Sequence, residues 1–219
     1  MTKQSKVIIS LVCVLLIIFF AGLWVSLKPQ KTASILEDNG KEAFNLLAHW
    51  SQGNIVAIIR HAERCDRSDN QCLEGESGIT VPGKEMSLKL GENFKTLLPI
   101  NNVNIYNSPL KRTHQTAEFM FGSESVDKLW LRKDCKKNLY KDIFNRKEAG
   151  KNLILITHFT CLRELGKSDG NKLIRMNFDD KKTYGVTIFI AVNKDVKQAY
   201  VLGYLFPDNW ENMQMLYAK

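Results

Sequence analysis

Several spacings that would assign a chemistry at once are missing from this sequence. No Cys-x-x-Cys pair occurs, so a structural zinc site of the usual spacing is not expected. There is no His-Glu-x-x-His, and no cysteine is followed six positions later by arginine. Those absences remove the helix-histidine zinc hydrolases and the cysteine-based phosphatase loop. The segment Gly78 to Lys84 fits Gly-x4-Gly-Lys, but Glu85 stands where a magnesium-binding Ser or Thr belongs. Pro82 also removes a backbone donor from such a loop, so a nucleotide cradle is not expected. Internal repeats and low-complexity tracts are absent as well.

Acid is in short supply. The chain has 31 Lys+Arg against 23 Asp+Glu, a net +8, which attracts phosphates, phosphorylated sugars, nucleic acid or acidic headgroups. Its basic residues form no aromatic-interleaved run, which argues against nucleic acid. With 219 residues, 44% hydrophobic and 25% charged, it suits one packed core and a short appendage.

That appendage is N-terminal. Val7 to Leu27 carries no charge over 21 residues, enough as a helix to span a hydrocarbon core of about 30 Å. The run is longer than a signal peptide's apolar region and lacks an Ala-x-Ala-like cleavage site, so an uncleaved transmembrane anchor is expected. Lys3 and Lys6 precede it and Lys28 and Lys31 follow, which leaves orientation to a second argument. Apart from Cys13, the cysteines are Cys65, Cys72, Cys135 and Cys161, an even set that suits an oxidising compartment. Ordinary thiols in a cytosolic domain are the alternative. Without Lys3 and Lys6 the remainder keeps 29 basic and 23 acidic residues, or +6.

Periodicity then gives the elements. An amphipathic helix is expected over Ser34 to Trp50, a buried strand over Asn54 to Ile59, and a helix over Pro82 to Leu98. A strand over Val103 to Tyr106, helices over Lys111 to Phe121 and Lys141 to Ala149, and a strand over Leu153 to Ile156 follow. Val186 to Leu205 reads as a hairpin at a sheet edge. This alternation predicts an α/β fold, a three-layer α/β/α sandwich with a mostly parallel central sheet, preceded by the N-terminal transmembrane helix. The expected division is a cytoplasmic tail over 1–6, a transmembrane anchor or signal segment over 7–27, a linker and N-terminal helix over 28–53, and the domain over 54–219.

In such sheets ligands bind at the carboxyl ends of strands. Three polar clusters fall there: Arg60-His61, Ser108-Pro109-Leu110-Lys111-Arg112, and Thr157-His158. Two guanidinium forks match a tetrahedral oxyanion, and an imidazole of near-neutral pKa can attack phosphorus without a strong base. Taken singly, each of these groups is more often a structural or solvated residue.

Arg60-His61-Ala62-Glu63 resembles the Arg-His-Gly signature of the histidine phosphatase superfamily, with Ala in the Gly place. Ser108 to Ala117 is similar to its second block, Gly78 to Gly83 to its helix entry, and Thr157-His158 to the block with the second histidine. Arg64 to Ser68 and Asn70 to Cys72 are most similar to the Ais group of lipopolysaccharide core heptose(II)-phosphate phosphatases. The resemblance implies that His61 is the nucleophile, that Arg60 and Arg112 clamp the phosphoryl oxygens, and that His158 stabilises the transferring group. Arg64 and Ser108 are further candidate substrate contacts. No cofactor and no metal are implied.

Phe159-Thr160-Cys161 after His158 departs from the common pattern, which leaves the proton donor open. Glu63 is the first candidate and Asp134 the second, and both are equally able to orient arginines. The expectation is an exported phosphomonoesterase, periplasmic and anchored in the inner membrane, acting on a phosphorylated envelope sugar through a phosphohistidine. A non-catalytic phosphoglycan-binding module and a phosphatase for another metabolite or protein are the alternatives. No obligate protein partner is evident.

Overall fold

A computed structural model describes residues 12–20, 33–165, 183–193 and 198–218. The chain divides into two units, Met1–Gln30 and Lys31–Lys219. In the first, residues 12–20 are helical and exposed. Most of the expected 7–27 span lies outside the described residues. No helix among the described residues is long and apolar enough to cross a membrane.

The second unit is built on a six-stranded mixed sheet. Its strands are β1 (Ile55–Arg60), β2 (Val103–Asn107), β3 (Val126–Asp127), β4 (Asn152–Thr157), β5 (Thr187–Asn193) and β6 (Gln198–Leu205). Their order across the sheet is β3-β2-β4-β1-β5-β6. The first four are mutually parallel, while β5 pairs antiparallel with both β1 and β6.

Every residue of β1 and β4 is buried, as expected of strands covered on both faces. Along β1, Ile55, Ala57 and Ile59 enter one apolar cluster and Val56 and Ile58 the other. The first cluster takes side chains from α1 (Lys41–Ser51), α2 (Val81–Leu97), α3 (Lys111–Phe121) and α7 (Trp210–Tyr217). The second takes them from α4 (Trp130–Lys133), α5 (Cys135–Arg146) and α6 (Phe159–Glu164). Helices therefore cover both faces, and each fully buried Leu or Ile is worth about 1.5–3 kcal/mol against exposure.

Several elements differ from expectation. The first helix begins at Lys41, not Ser34, because residues 33–35 pair with the edge of β6. Ile35 N–H donates to Tyr204 O at 3.1 Å, and Tyr204 N–H donates to Ala33 O at 3.2 Å. Gly203 permits this approach, since a Cβ there would sit 2.7 Å from Ala33 O. Asp38, Asn39 and Gly40 then take positive φ, which no helix interior accommodates. The helix expected over Lys141 to Ala149 instead runs from Cys135 to Arg146. Its inward positions Cys135, Leu139 and Ile143 repeat every four residues, a face hidden among exposed lysines. The two-residue β3 and the helices α4, α6 and α7 were not expected at all.

Cys65 is bonded to Cys72 and Cys135 to Cys161, so all four cysteines of this unit are paired. Cys13 is free.

Candidate active site

Register brings the three strand ends together. Arg60 lies opposite Thr157, and Asn107 lies opposite Ile156. His61, Ser108 and His158 therefore leave the sheet side by side. Backbone bonds hold this rim: His61 N–H donates to Thr157 O, and Ser108 N–H donates to Ile156 O, each at 3.0 Å.

The second block serves as a bracket. Thr113 Oγ1 donates to the carbonyls of Ser108 and Leu110 at 2.7 Å and so ties the strand exit to the start of α3. Thr116 Oγ1 donates to Arg112 O at 2.7 Å and accepts from Ala62 N–H at 3.0 Å. One hydroxyl thus fixes the backbone after His61 to the helix turn that carries Arg112. Gln115 Oε1 accepts from Ile79 N–H at 3.0 Å and holds the Cys65–Cys72 loop region, and Ala117 is packed in the core.

His61 is 3% exposed. Its Nδ1 lies 2.7 Å from Ala62 O, and a carbonyl can only accept, so Nδ1 carries the proton. Nε2 is then the free base, and Arg112 Nε–H donates to it at 3.3 Å. Burial holds the imidazole well below its ordinary pKa, and His158, Arg112 and Arg60 press the same way against the Ala62 bond. The ring is neutral at pH 7.

His158 lies 5.4 Å from His61, ring centre to ring centre. Burial, followed by Arg112, Lys136, Arg64 and Arg132, lowers its pKa to about 3. Its Nε2 is 2.9 Å from Ser108 Oγ, while Nδ1 is buried with no protein partner among the described residues. Ser108 itself is fully buried and does not line the cleft. The structure therefore places it behind His158 rather than at the cleft wall.

Arg60 is 2% exposed. Its guanidinium lies 4.0 Å from the centre of the Tyr184 ring and 5.1 Å from that of Phe159, and Nη1 donates to Thr183 Oγ1. Such stacking on a desolvated cation is worth about 2 kcal/mol. Thr183, Tyr184 and Phe159 were not singled out from the sequence as site residues. Thr183 lies 123 positions from Arg60, and no local pattern announces such a contact.

Glu63 is placed away from the chemistry. Its carboxylate accepts from Asn70 Nδ2 and Thr80 Oγ1, each at 2.8 Å, and it does not line the cleft. Partial burial would raise its pKa, but bonds from Asn70, Thr80 and Ser68 outweigh that and lower it. Thr80 is the N-cap of α2 and accepts from Gly83 N–H, so Glu63 braces a helix start. Arg64 lines the cleft and forks onto Asp66. Asp134 is exposed at the start of α5.

The cleft of about 590 Å³ is lined by twelve residues, seven of them Arg or Lys and none acidic among the described residues. The described residues hold no cluster of His, Cys, Asp or Glu able to bind a metal. The arrangement sets two neutral imidazoles, those of His61 and His158, inside a cationic cup.

Residues 56–128 match the model of the histidine phosphatase superfamily (branch 1). A lipopolysaccharide core heptose(II)-phosphate phosphatase of Salmonella arizonae is 37% identical over 155 residues, covering 68% of this chain and 75% of that protein. The chain belongs to the histidine phosphatase superfamily. It is thus a histidine-type phosphatase, with this cleft as the candidate active site. The Salmonella typhimurium protein of the same name is 40% identical over 134 residues, which are 59% of this chain and 63% of that relative. Among solved structures, SixA from Agrobacterium tumefaciens superposes with a TM-score of 0.51 at 14% identity, covering 70% of this chain and 97% of its own. SixA from Nakamurella multipartitia gives 0.50 at 15%, with 70% and 96% covered. These two share the fold of this phosphatase superfamily member.

Proposed function

We propose that the protein is an exported, membrane-anchored phosphomonoesterase that removes phosphate from a phosphorylated sugar of the lipopolysaccharide core, with His61 as nucleophile. The observation that carries the reaction is the proton placement on His61. Ala62 O holds the proton at Nδ1, so Nε2 presents its lone pair into the cleft beside Arg112. The substrate class rests on the name shared by the Salmonella relatives.

In the first step Nε2 attacks phosphorus in line, a P–N bond forms, and the ester P–O bond breaks. Arg60, gripped by Thr183 and the Tyr184 and Phe159 rings, and Arg112 meet the equatorial oxygens. His158, whose ring centre stands 5.4 Å from that of His61 and whose Nε2 is hydrogen-bonded to the Ser108 hydroxyl, stabilises the transferring group. The phosphate monoanion brings the proton that the departing oxygen takes up. Water then attacks the phosphohistidine, the P–N bond breaks, and inorganic phosphate leaves with Nε2 restored.

The apolar run from Val7 to Leu27 and the two disulfides support an exported location. A fusion reporter at the C-terminus checks it, with activity of a periplasmic reporter expected. Replacing His61 with Ala is expected to cut hydrolysis of p-nitrophenyl phosphate by at least about a thousandfold. It should also abolish the acid-labile phosphoprotein trapped from wild type. Full activity in that variant would remove the nucleophile assignment.

A further inference from the structure

The cleft holds more positive charge than one phosphoryl group needs. Arg60 and Arg112 stand beside His61, yet Arg132 and Lys133 of α4 and Lys136 of α5 line the same space. All three are exposed, and none is in an ion pair with a described carboxylate. Elsewhere the protein does pair its surface cations: Lys89 with Glu211, Lys111 with Glu74, Arg146 with Asp142. Clustering three unpaired cations costs self-repulsion, which a bound anion relieves.

Their position relative to the nucleophile is fixed. Thr157, which precedes His158, donates its hydroxyl to Leu131 O at 3.1 Å and so pins α4 to the end of β4. The Cys135–Cys161 bond fastens the start of α5, next to Lys136, to α6, which begins one residue after His158. Lys136 and Arg132 are near enough to help depress the pKa of His158. A volume of about 590 Å³ falls in the range of sites that enclose a ligand much larger than phosphate.

We propose that Arg132, Lys133 and Lys136 form a second anion subsite, which selects phosphorylated saccharides carrying a further phosphate or carboxylate beyond the group removed. This rests on the phosphatase reading for which group is removed, and it adds the charge pattern of the substrate. A bilayer surface is not the better occupant, because these cations line a concave cleft shared with His61.

The test is calorimetric binding to full-length His61→Ala protein, which does not turn its ligand over. Glucose 6-phosphate, glucose 1,6-bisphosphate and 6-phosphogluconate are compared, before and after adding Arg132→Gln, Lys133→Gln and Lys136→Gln. In the parent the bisphosphate should bind about tenfold tighter than the monophosphate or better, one charge-assisted contact being worth that factor. In the triple variant the ratio should fall to near one, with an unchanged far-ultraviolet spectrum showing that it has folded. Tightening by 6-phosphogluconate as well means that any second anion serves, while tightening by the bisphosphate alone narrows the subsite to phosphate. A parent ratio near one overturns the proposal, as does a ratio that survives the triple substitution. Loss of binding to phosphatidylglycerol vesicles with the ratio intact also overturns it and assigns the trio to lipid. The phosphatase reading fails separately, if wild type does not hydrolyse p-nitrophenyl phosphate.

Discussion

Among the described residues the His158 side chain makes one hydrogen bond, that of Nε2 with Ser108 Oγ at 2.9 Å. A neutral imidazole has two tautomers, and the hydrogen bond between Nε2 and the Ser108 hydroxyl fixes one of them and holds the ring beside His61. Ser108→Ala frees the ring to invert this arrangement. The expected outcome is a fall in kcat of about 10–100-fold with KM changed less, since the lost contact is one strengthened in the transition state. Equal effects on both constants would mean that Ser108 serves ground-state binding. Glu63 makes the opposite case. Its carboxylate is held ionised by Asn70 and Thr80, so it has no proton to give near neutral pH. Glu63→Gln should lower the melting temperature while kcat stays within about tenfold of wild type, because general acids contribute about 10²–10⁴. A loss of that larger size would restore it as the proton donor.

The start of α3 shows how an element positions chemistry. Thr116 Oγ1 is shared between Arg112 O and Ala62 N–H, so Thr116→Val strands the buried Ala62 N–H, while Arg112 O keeps its helical bond. An unpaired buried donor costs about 1–3 kcal/mol. Denaturant unfolding should register a loss in that range, and activity should fall because Arg112 and His61 no longer share one anchor. The sequence exposes this bracket well. Short apolar runs such as Asn54 to Ile59 and Leu153 to Ile156 suit strands covered by helices on both faces, as in a parallel sheet, and the polar ends of two adjacent parallel strands meet at one rim. Elements with weak apolar signals were harder to read. The α5 helix presents Cys135, Leu139 and Ile143 inward among lysines, and its lysine-rich face hid the cations that line the cleft. The grip on Arg60 by Thr183 and Tyr184 depends on tertiary closure across more than half the chain. The functions of Glu63 and Ser108 turned on which way a side chain faces, and periodicity does not fix that for residues beyond a strand end.

Buried histidines give the whole molecule its response to acid. An unfolded histidine takes a proton as pH falls through about 6.5. In the folded state His158 stays neutral down to about 3, and His61 is also lowered by burial and by the surrounding cations. Between those limits the unfolded chain binds more protons than the folded one, so stability is complete above pH 6.5 and is lost as pH falls. The slope per histidine approaches about 1.4 kcal/mol per pH unit. Carboxylates with lowered pKa, such as Glu63 and Asp66, add their own loss only below about pH 4, where unfolded carboxyls titrate. The interval from about pH 4.5 to 6 therefore reports on the histidines. Urea unfolding across it should show a slope that drops by up to about half in His158→Gln, and an unchanged slope would mean that the imidazole is not held neutral. Inorganic phosphate should flatten the same slope in wild type. An anion among Arg60, Arg112 and His61 offsets the cations that disfavour imidazolium, and it binds the folded state alone. If phosphate raises stability equally at pH 4.5 and 7, the anion and the histidines do not occupy the same site.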